Sequence, residues 1–144
     1  MHIFNISAHH TKNFMHTLLK TDLFDAFAMR RAEIHNVAAF NLECENNTWA
    51  VLRPFVFHIV KEGGKPSLVK IVLAHAEPAA LHPNAAALFL NIQYDNNAVS
   101  CTSATAQKEF ALNKELDNLW DEWVTQFFIH HNIALSPAES RNAT

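Results

Sequence analysis

The segment between Leu116 and Phe128 carries apolar residues at helical spacing. They cover an arc of about 180°, whereas a surface helix needs an apolar stripe of only about 100°. We predict a helix over residues 114–131, capped by Asn113, that is either deeply packed or shared with a partner chain. Because Trp and Phe are enriched at interfaces, the candidate interface residues of a predicted homo-oligomer are Trp120, Trp123, Phe127 and Phe128.

The rest of the chain predicts an α+β fold, a mainly antiparallel sheet with helices on one face, in the order β-α-β-β-α-β-β-β-β-α. Strands are predicted at residues 2–6, 27–35, 37–45, 68–75, 88–94, 98–105 and 108–112. We also predict a helix over residues 8–20, with Ser7 as its N-cap. Residues 53–64 are compatible with either a helix or a strand. A helix is favoured, because Pro54 suits the first helical position and Gly63 would stand just past the end. Asn96 and Asn97 tolerate positive φ and suit a hairpin turn.

The length of 144 residues predicts one domain, at residues 1–135, followed by a polar tail at 136–144 that we expect to be disordered. The net charge of −3 argues against a general nucleic-acid coat. We see no apolar run of about 20 residues and no secretory leader, and we expect no membrane partner. Cys44 and Cys101 stand at no metal or redox spacing, which predicts a cytoplasmic protein with reduced thiols.

Glycine is scarce, because Gly63 and Gly64 are the only two in the chain. The sequence therefore has no phosphate-binding loop, no dinucleotide-binding fingerprint and no G-x-S-x-G nucleophile motif. These absences argue against the commonest nucleotide and hydrolase chemistries. We predict no cofactor.

Ten histidines are the most suggestive chemical signal, but none has the spacing of a metal motif. His9 and His16 lie about 10 Å apart on a helix, too far to share one ion unless a third element also contributes. We predict no metal site and no catalytic residue. Asp121 and Glu122 are expected on a solvated helix face, and Glu43 and Glu45 share a strand face. Cys44 and Cys101 are expected to be buried as small apolar residues.

Six basic side chains are the candidate binding residues. Lys12, His16 and Lys20 lie on one side of the first predicted helix, and Arg53, His58 and Lys61 lie on the second. If these helices pack side by side, the six residues make a positive face that could follow phosphates. The acidic net charge favours the simpler interpretation, in which they solvate exposed helices.

Four segments carry a resemblance to a known family: residues 53–61, 88–95, 101–102 and 119–122. Together they resemble a bacterial family of short cytosolic proteins catalogued only as a domain of unknown function. The similarity covers most of the chain, most strongly residues 53–124. It implies a single intracellular domain and brings no activity, cofactor or site residue. The element order alone has a looser likeness to one domain of the sliding DNA clamps.

Three functional hypotheses follow from the sequence. The first is a non-enzymatic binding or assembly module, expected to be a homo-oligomer and with room for a protein partner. The second is a clamp-like protein associated with nucleic acid, which the charge does not favour. The third is a small enzyme that depends on His and carboxylate groups.

Overall fold

A computed structural model describes residues 2–35, 39–43, 47–62, 66–133 and 135. The strands are β1 (His2–Asn5), β2 (Ala28–His35), β3 (Ala39–Glu43), β4 (Leu68–Ala74), β5 (Ala85–Asp95) and β6 (Ala98–Gln107). The helices are α1 (Thr11–Lys20), α2 (Trp49–Glu62), α3 (Pro78–Leu81) and α4 (Glu115–His130). A short 3-10 helix, Ala8–His10, leads into α1. The expected tail at 136–144 lies outside the described residues.

The strands form one sheet in the order β1-β6-β5-β4-β2-β3, and every neighbouring pair is antiparallel. The predicted α+β class is confirmed. Alternate residues of the central strands are buried, as Leu88, Leu90 and Ile92 show in β5, because side chains alternate between the two faces of a strand. The buried face packs against the helices, for example through an edge-to-face contact of Phe4 with Phe128.

The hairpin between β5 and β6 is confirmed. Asn96 and Asn97 have φ values of 49° and 69°, the left-handed region that a tight two-residue hairpin turn requires. The hydroxyl of Tyr94 donates a hydrogen bond of 2.9 Å to Asn97 Oδ1. The buried Tyr94 is thereby attached to the turn, which becomes one wall of the cleft described below.

One predicted strand is absent. Residues 108–112 form bends and irregular backbone. The short helix α3, which was not predicted, lies before β5. The side chain of Asn84 holds both backbone groups of Glu109, and Gln107 Oε1 accepts the N–H of Ala111. Side chains therefore satisfy the backbone groups of Glu109 and the N–H of Ala111 without a strand partner.

The helix favoured for residues 53–64 is confirmed over 53–62 and begins earlier than predicted. Gly63 and Gly64 lie outside the described residues. The N–H of Trp49 donates to the carbonyl of Phe27 at 2.8 Å, and the carbonyl of Thr48 accepts from Val51. These contacts begin α2 at Trp49, so Pro54 lies inside the helix and not at its first position. The ring nitrogen has no N–H, and one bond of the helical ladder is missing there.

The two predicted caps differ in outcome. Ser7 precedes the 3-10 helix and makes no side-chain cap bond. Its carbonyl instead accepts the N–H of His10. The N-cap of α4 is Lys114, one residue later than predicted, and its side chain makes no cap bond. Asn113 Oδ1 nevertheless accepts the N–H of Glu115 at 3.1 Å, which satisfies one of the free donors at the start of α4.

Candidate functional site

A cleft of about 560 Å³ opens where α1 and α2 meet the β5–β6 hairpin. The position of α1 follows from its sequence, since Phe14, Leu18 and Leu19 are buried in the core. The indole N–H of Trp49, the first residue of α2, donates a 3.2 Å hydrogen bond to the carbonyl of Leu18. This bond attaches the last turn of α1 to the start of α2 and sets the spacing between the two helices.

The walls of the cleft are mainly apolar. They are formed by Ala8, Met15, Leu19, Val60 and Pro66. Small-molecule sites in proteins are clefts of about 300–1,000 Å³ with apolar linings and a few placed polar groups. This cleft has the volume and lining of such a site.

Thr11 is the buried polar residue of the cleft. It lines the cleft, yet it is only 8% exposed. Its Oγ1 has no hydrogen-bond partner among the described residues. An unpaired buried hydroxyl destabilises a fold by about 1–3 kcal/mol. No sequence pattern marks Thr11, because its isolation depends on how α1 packs.

The charge of the described lining is positive. Lys12 and His9 line the cleft, and both are exposed. No carboxylate stands among the described lining residues, and the remaining polar groups are Tyr94 and Asn97. Of the six predicted binding residues, Lys12 is the one that the structure places at this cleft.

The other predicted binding residues lie on α1 and α2, which contact each other. His16, Lys20, His58 and Lys61 are exposed. The ammonium of Lys20 lies 5.2 Å from the centroid of the Phe57 ring.

Arg53 is half-buried in a two-point ion pair. Its Nε and Nη2 donate to the Asp25 carboxylate at 2.9 and 3.0 Å. The hydrogen bond to Asp25 raises the pKa of Arg53. The guanidinium therefore already has a partner of opposite charge within the fold.

The predicted interface residues divide into two groups. Trp120 and Phe128 are fully buried within the chain, so neither is available to a partner in this fold. Trp123 and Phe127 are half-buried and stack on each other, with ring centroids 5.5 Å apart. They line a second cleft, of about 340 Å³, together with Phe27.

His75 lies in this second cleft. Its ring meets the ring of Trp123 edge to face, with centroids 5.2 Å apart. Its Nδ1 accepts the backbone N–H of Glu77 at 3.0 Å. Burial lowers the pKa of His75, and the nearby charge of Glu77 opposes that change. The sequence does not single out His75, because the aromatic rings that surround it come from a distant helix.

Asp121 corrects one expectation. It is half-buried and accepts a hydrogen bond from Ser103 of β6, whereas a solvated face was predicted. One turn earlier, Asp117 accepts from Thr105. Asp117 and Asp121 are one turn apart on α4, and their hydroxyl partners Thr105 and Ser103 lie on one face of β6. The two distances match, so both pairs can form together. Glu122, on the other hand, is exposed as expected.

The remaining candidate groups lie apart. Cys101 is a free, fully buried thiol, as predicted, and burial raises its pKa. Cys44 and Glu45 lie outside the described residues, and Glu43 is exposed. Within the described ranges, no three His, Cys, Asp or Glu side chains are grouped so that they could hold a metal ion.

None of the described helices combines the length and the apolar character needed to cross a membrane. The model of a family of unknown function, DUF5721, matches residues 43–136. The chain belongs to this family. No curated protein and no solved structure is significantly similar to it, so the likeness to a DNA clamp has no support.

Only some of the residues that line the first cleft belong to the segment matched by the DUF5721 model. Val60, Pro66, Tyr94 and Asn97 lie inside residues 43–136, whereas the residues contributed by α1 and the preceding turn lie before them. The second cleft divides in the same way, with His75, Trp123 and Phe127 inside the match and Phe27 before it.

Proposed function

We propose that the protein is a non-enzymatic binding module, and that the cleft between α1, α2 and the β5–β6 hairpin is its binding site. The observation that carries the proposal is a mainly apolar cleft of about 560 Å³ whose lining includes a few polar groups. This composition is that of a small-molecule site, where apolar walls contribute affinity and polar groups set orientation.

The described lining favours binding over catalysis. It contains no Asp, Glu, Ser or Cys, and its titratable side chains are His9, Lys12 and Tyr94. Thr11 supplies a hydroxyl, but no described base is hydrogen-bonded to it. A hydroxyl becomes a nucleophile only when an adjacent base or metal activates it.

The test is the binding of N-phenyl-1-naphthylamine, a neutral apolar fluorophore, to the full chain. We expect saturable binding, and we expect Val60→Phe to weaken it at least tenfold by filling the cleft. Val51→Phe is the matched control, because Val51 is on the same helix, is 69% exposed and does not line the cleft.

Thermal melts establish that both variants are folded. Ala8→Phe, with Ala50→Phe as its control, repeats the comparison from the opposite wall if Val60→Phe is unstable. Absence of binding by the unmodified chain, or equal binding by the cleft and control variants, would overturn the proposal.

A further inference from the structure

The polar and apolar groups of the cleft are separated along α1. On α1 the lining runs from Thr11 to Leu19, about 12 Å at the helical rise, and Ala8 and His9 of the 3-10 helix precede it. His9, Thr11 and Lys12 lie at the first end, and Met15 and Leu19 lie further along. A molecule that fits this arrangement has a polar group at one end and an apolar body.

The polar end of the cleft favours a negative charge. Lys12 contributes a full positive charge. The first turn of α1 is the positive end of the helix dipole. No carboxylate stands among the described lining residues, so none of these side chains carries a negative charge that would oppose an anion.

Thr11 adds an observation that is independent of charge. Its hydroxyl is buried without a described partner, and the residue lines the cleft next to Lys12 in the sequence of α1. Threonine in a helix populates two side-chain rotamers, and rotation between them exchanges the positions of its methyl and hydroxyl groups. A bound acid group would supply the acceptor that the hydroxyl lacks.

We infer that the cleft binds an amphiphilic carboxylate, a molecule with one acid group and an apolar chain or ring, and this inference rests on the function proposed above. The carboxylate is held by Lys12 and Thr11. The apolar body lies against Met15, Leu19 and Val60.

The experiment compares decanoate, decan-1-ol and decylamine as competitors of N-phenyl-1-naphthylamine on the full chain. The three share one apolar chain and differ in the charge of the head group. We expect decanoate to bind about ten times more tightly than decanol, the change that one charge-assisted hydrogen bond makes. Decylamine should bind most weakly.

Two variants test the residues. Lys12→Met should reduce decanoate affinity to that of decanol, whereas Lys20→Met, on the same helix and outside the lining, should not change it. Thr11→Val should weaken decanoate binding about tenfold and raise the thermal midpoint of the free protein. A purely structural hydroxyl would change the midpoint alone.

The outcomes separate this inference from the proposed function. If decanol and decanoate compete equally, or if neither displaces the bound fluorophore, the acid-binding inference is overturned while the cleft remains a binding site. If the fluorophore itself does not bind, the proposed function fails first. An unchanged decanoate affinity in both Lys12→Met and Thr11→Val would also overturn the inference.

Discussion

The indole nitrogen of Trp49 donates a hydrogen bond to the carbonyl oxygen of Leu18 across 31 positions of sequence. Leu18 lies in the last turn of α1, whose carbonyls have no partner within the helix. Trp49 is fully buried and therefore both fills the core and satisfies one of these acceptors. The contact joins the two helices that form the walls of the cleft.

Trp49→Phe should lower the free energy of unfolding by about 1–3 kcal/mol, which is the cost of leaving a buried hydrogen-bond acceptor unpaired. Because the substitution keeps an aromatic ring, the lost bond and a small cavity are its main effects. Denaturant melts measure the change. A loss below about 0.5 kcal/mol, the range of surface substitutions, would show that the bond does not stabilise the helix pair.

Trp120→Ala should cost about 3–5 kcal/mol, as expected for a large aromatic residue removed from a core. Trp120 is fully buried, and its indole N–H donates to the carbonyl of Phe89 at 2.9 Å. Leu119→Ala is the neighbouring control, since Leu119 is 38% exposed and should cost under about 1 kcal/mol. Equal losses in the two variants would contradict the burial of Trp120.

Thr11→Val should stabilise the free protein by about 1 kcal/mol, because it replaces an unpaired buried hydroxyl with a methyl group of similar size. Thr125→Val is the matched control. The hydroxyl of Thr125 donates to the carbonyl of Asp121 at 2.8 Å, so its loss should not stabilise the fold. Urea melts of both variants make the comparison, and a destabilised Thr11→Val would indicate that the hydroxyl is paired.

His75 should make stability fall as the pH is lowered. Because burial lowers its pKa in the folded state, the unfolded chain binds a proton more readily. Stability is therefore lost as the pH falls through the unfolded value of about 6.5, and the loss ends below the folded pKa.

Urea melts between pH 7.5 and 5 measure this effect, with His75→Gln as the comparison. The variant should show a smaller decrease in stability over that range. Since the other histidines contribute equally to both proteins, the difference between the two curves isolates His75. Identical curves would contradict a lowered pKa.

The thiol of Cys101 should be unreactive in the folded protein. It is fully buried, and its raised pKa keeps it protonated at neutral pH, whereas the thiolate is the reactive form. In a Cys44→Ser background, Ellman's reagent at pH 8 should detect one thiol only after denaturation. Rapid reaction of the folded chain would show that the strand β6 opens readily.

Self-association stays a prediction. It came from the apolar arc of the last helix, and on α4 the structure leaves Leu119 and Ile129 exposed, by 38% and 59%. Light scattering over a wide concentration range should show a dimer or larger assembly that Ile129→Asp weakens. Val51→Asp, on α2, should not. A monomeric mass at every concentration would contradict the prediction.

Local patterns in the sequence were sufficient for much of the fold. The Asn96–Asn97 turn, the alternation along β5 and the periodicity of α4 each depend on residues a few positions apart. Such patterns reflect backbone preference and the geometry of one helix or strand. They also predicted the class of the fold and the helical character of residues 53–62.

The site depends on contacts between distant segments. Asp121 was assigned to solvent because a helical pattern does not show which strand lies beneath it. Thr11 was not predicted at all, and Lys12 was chosen for its charge and for its side of the first predicted helix. The cleft forms where α1, α2 and the hairpin meet, and its unpaired hydroxyl arises from that packing. Local preference determined the elements of this protein, and long-range packing decided its site, because burial and pairing depend on neighbours far apart in the chain.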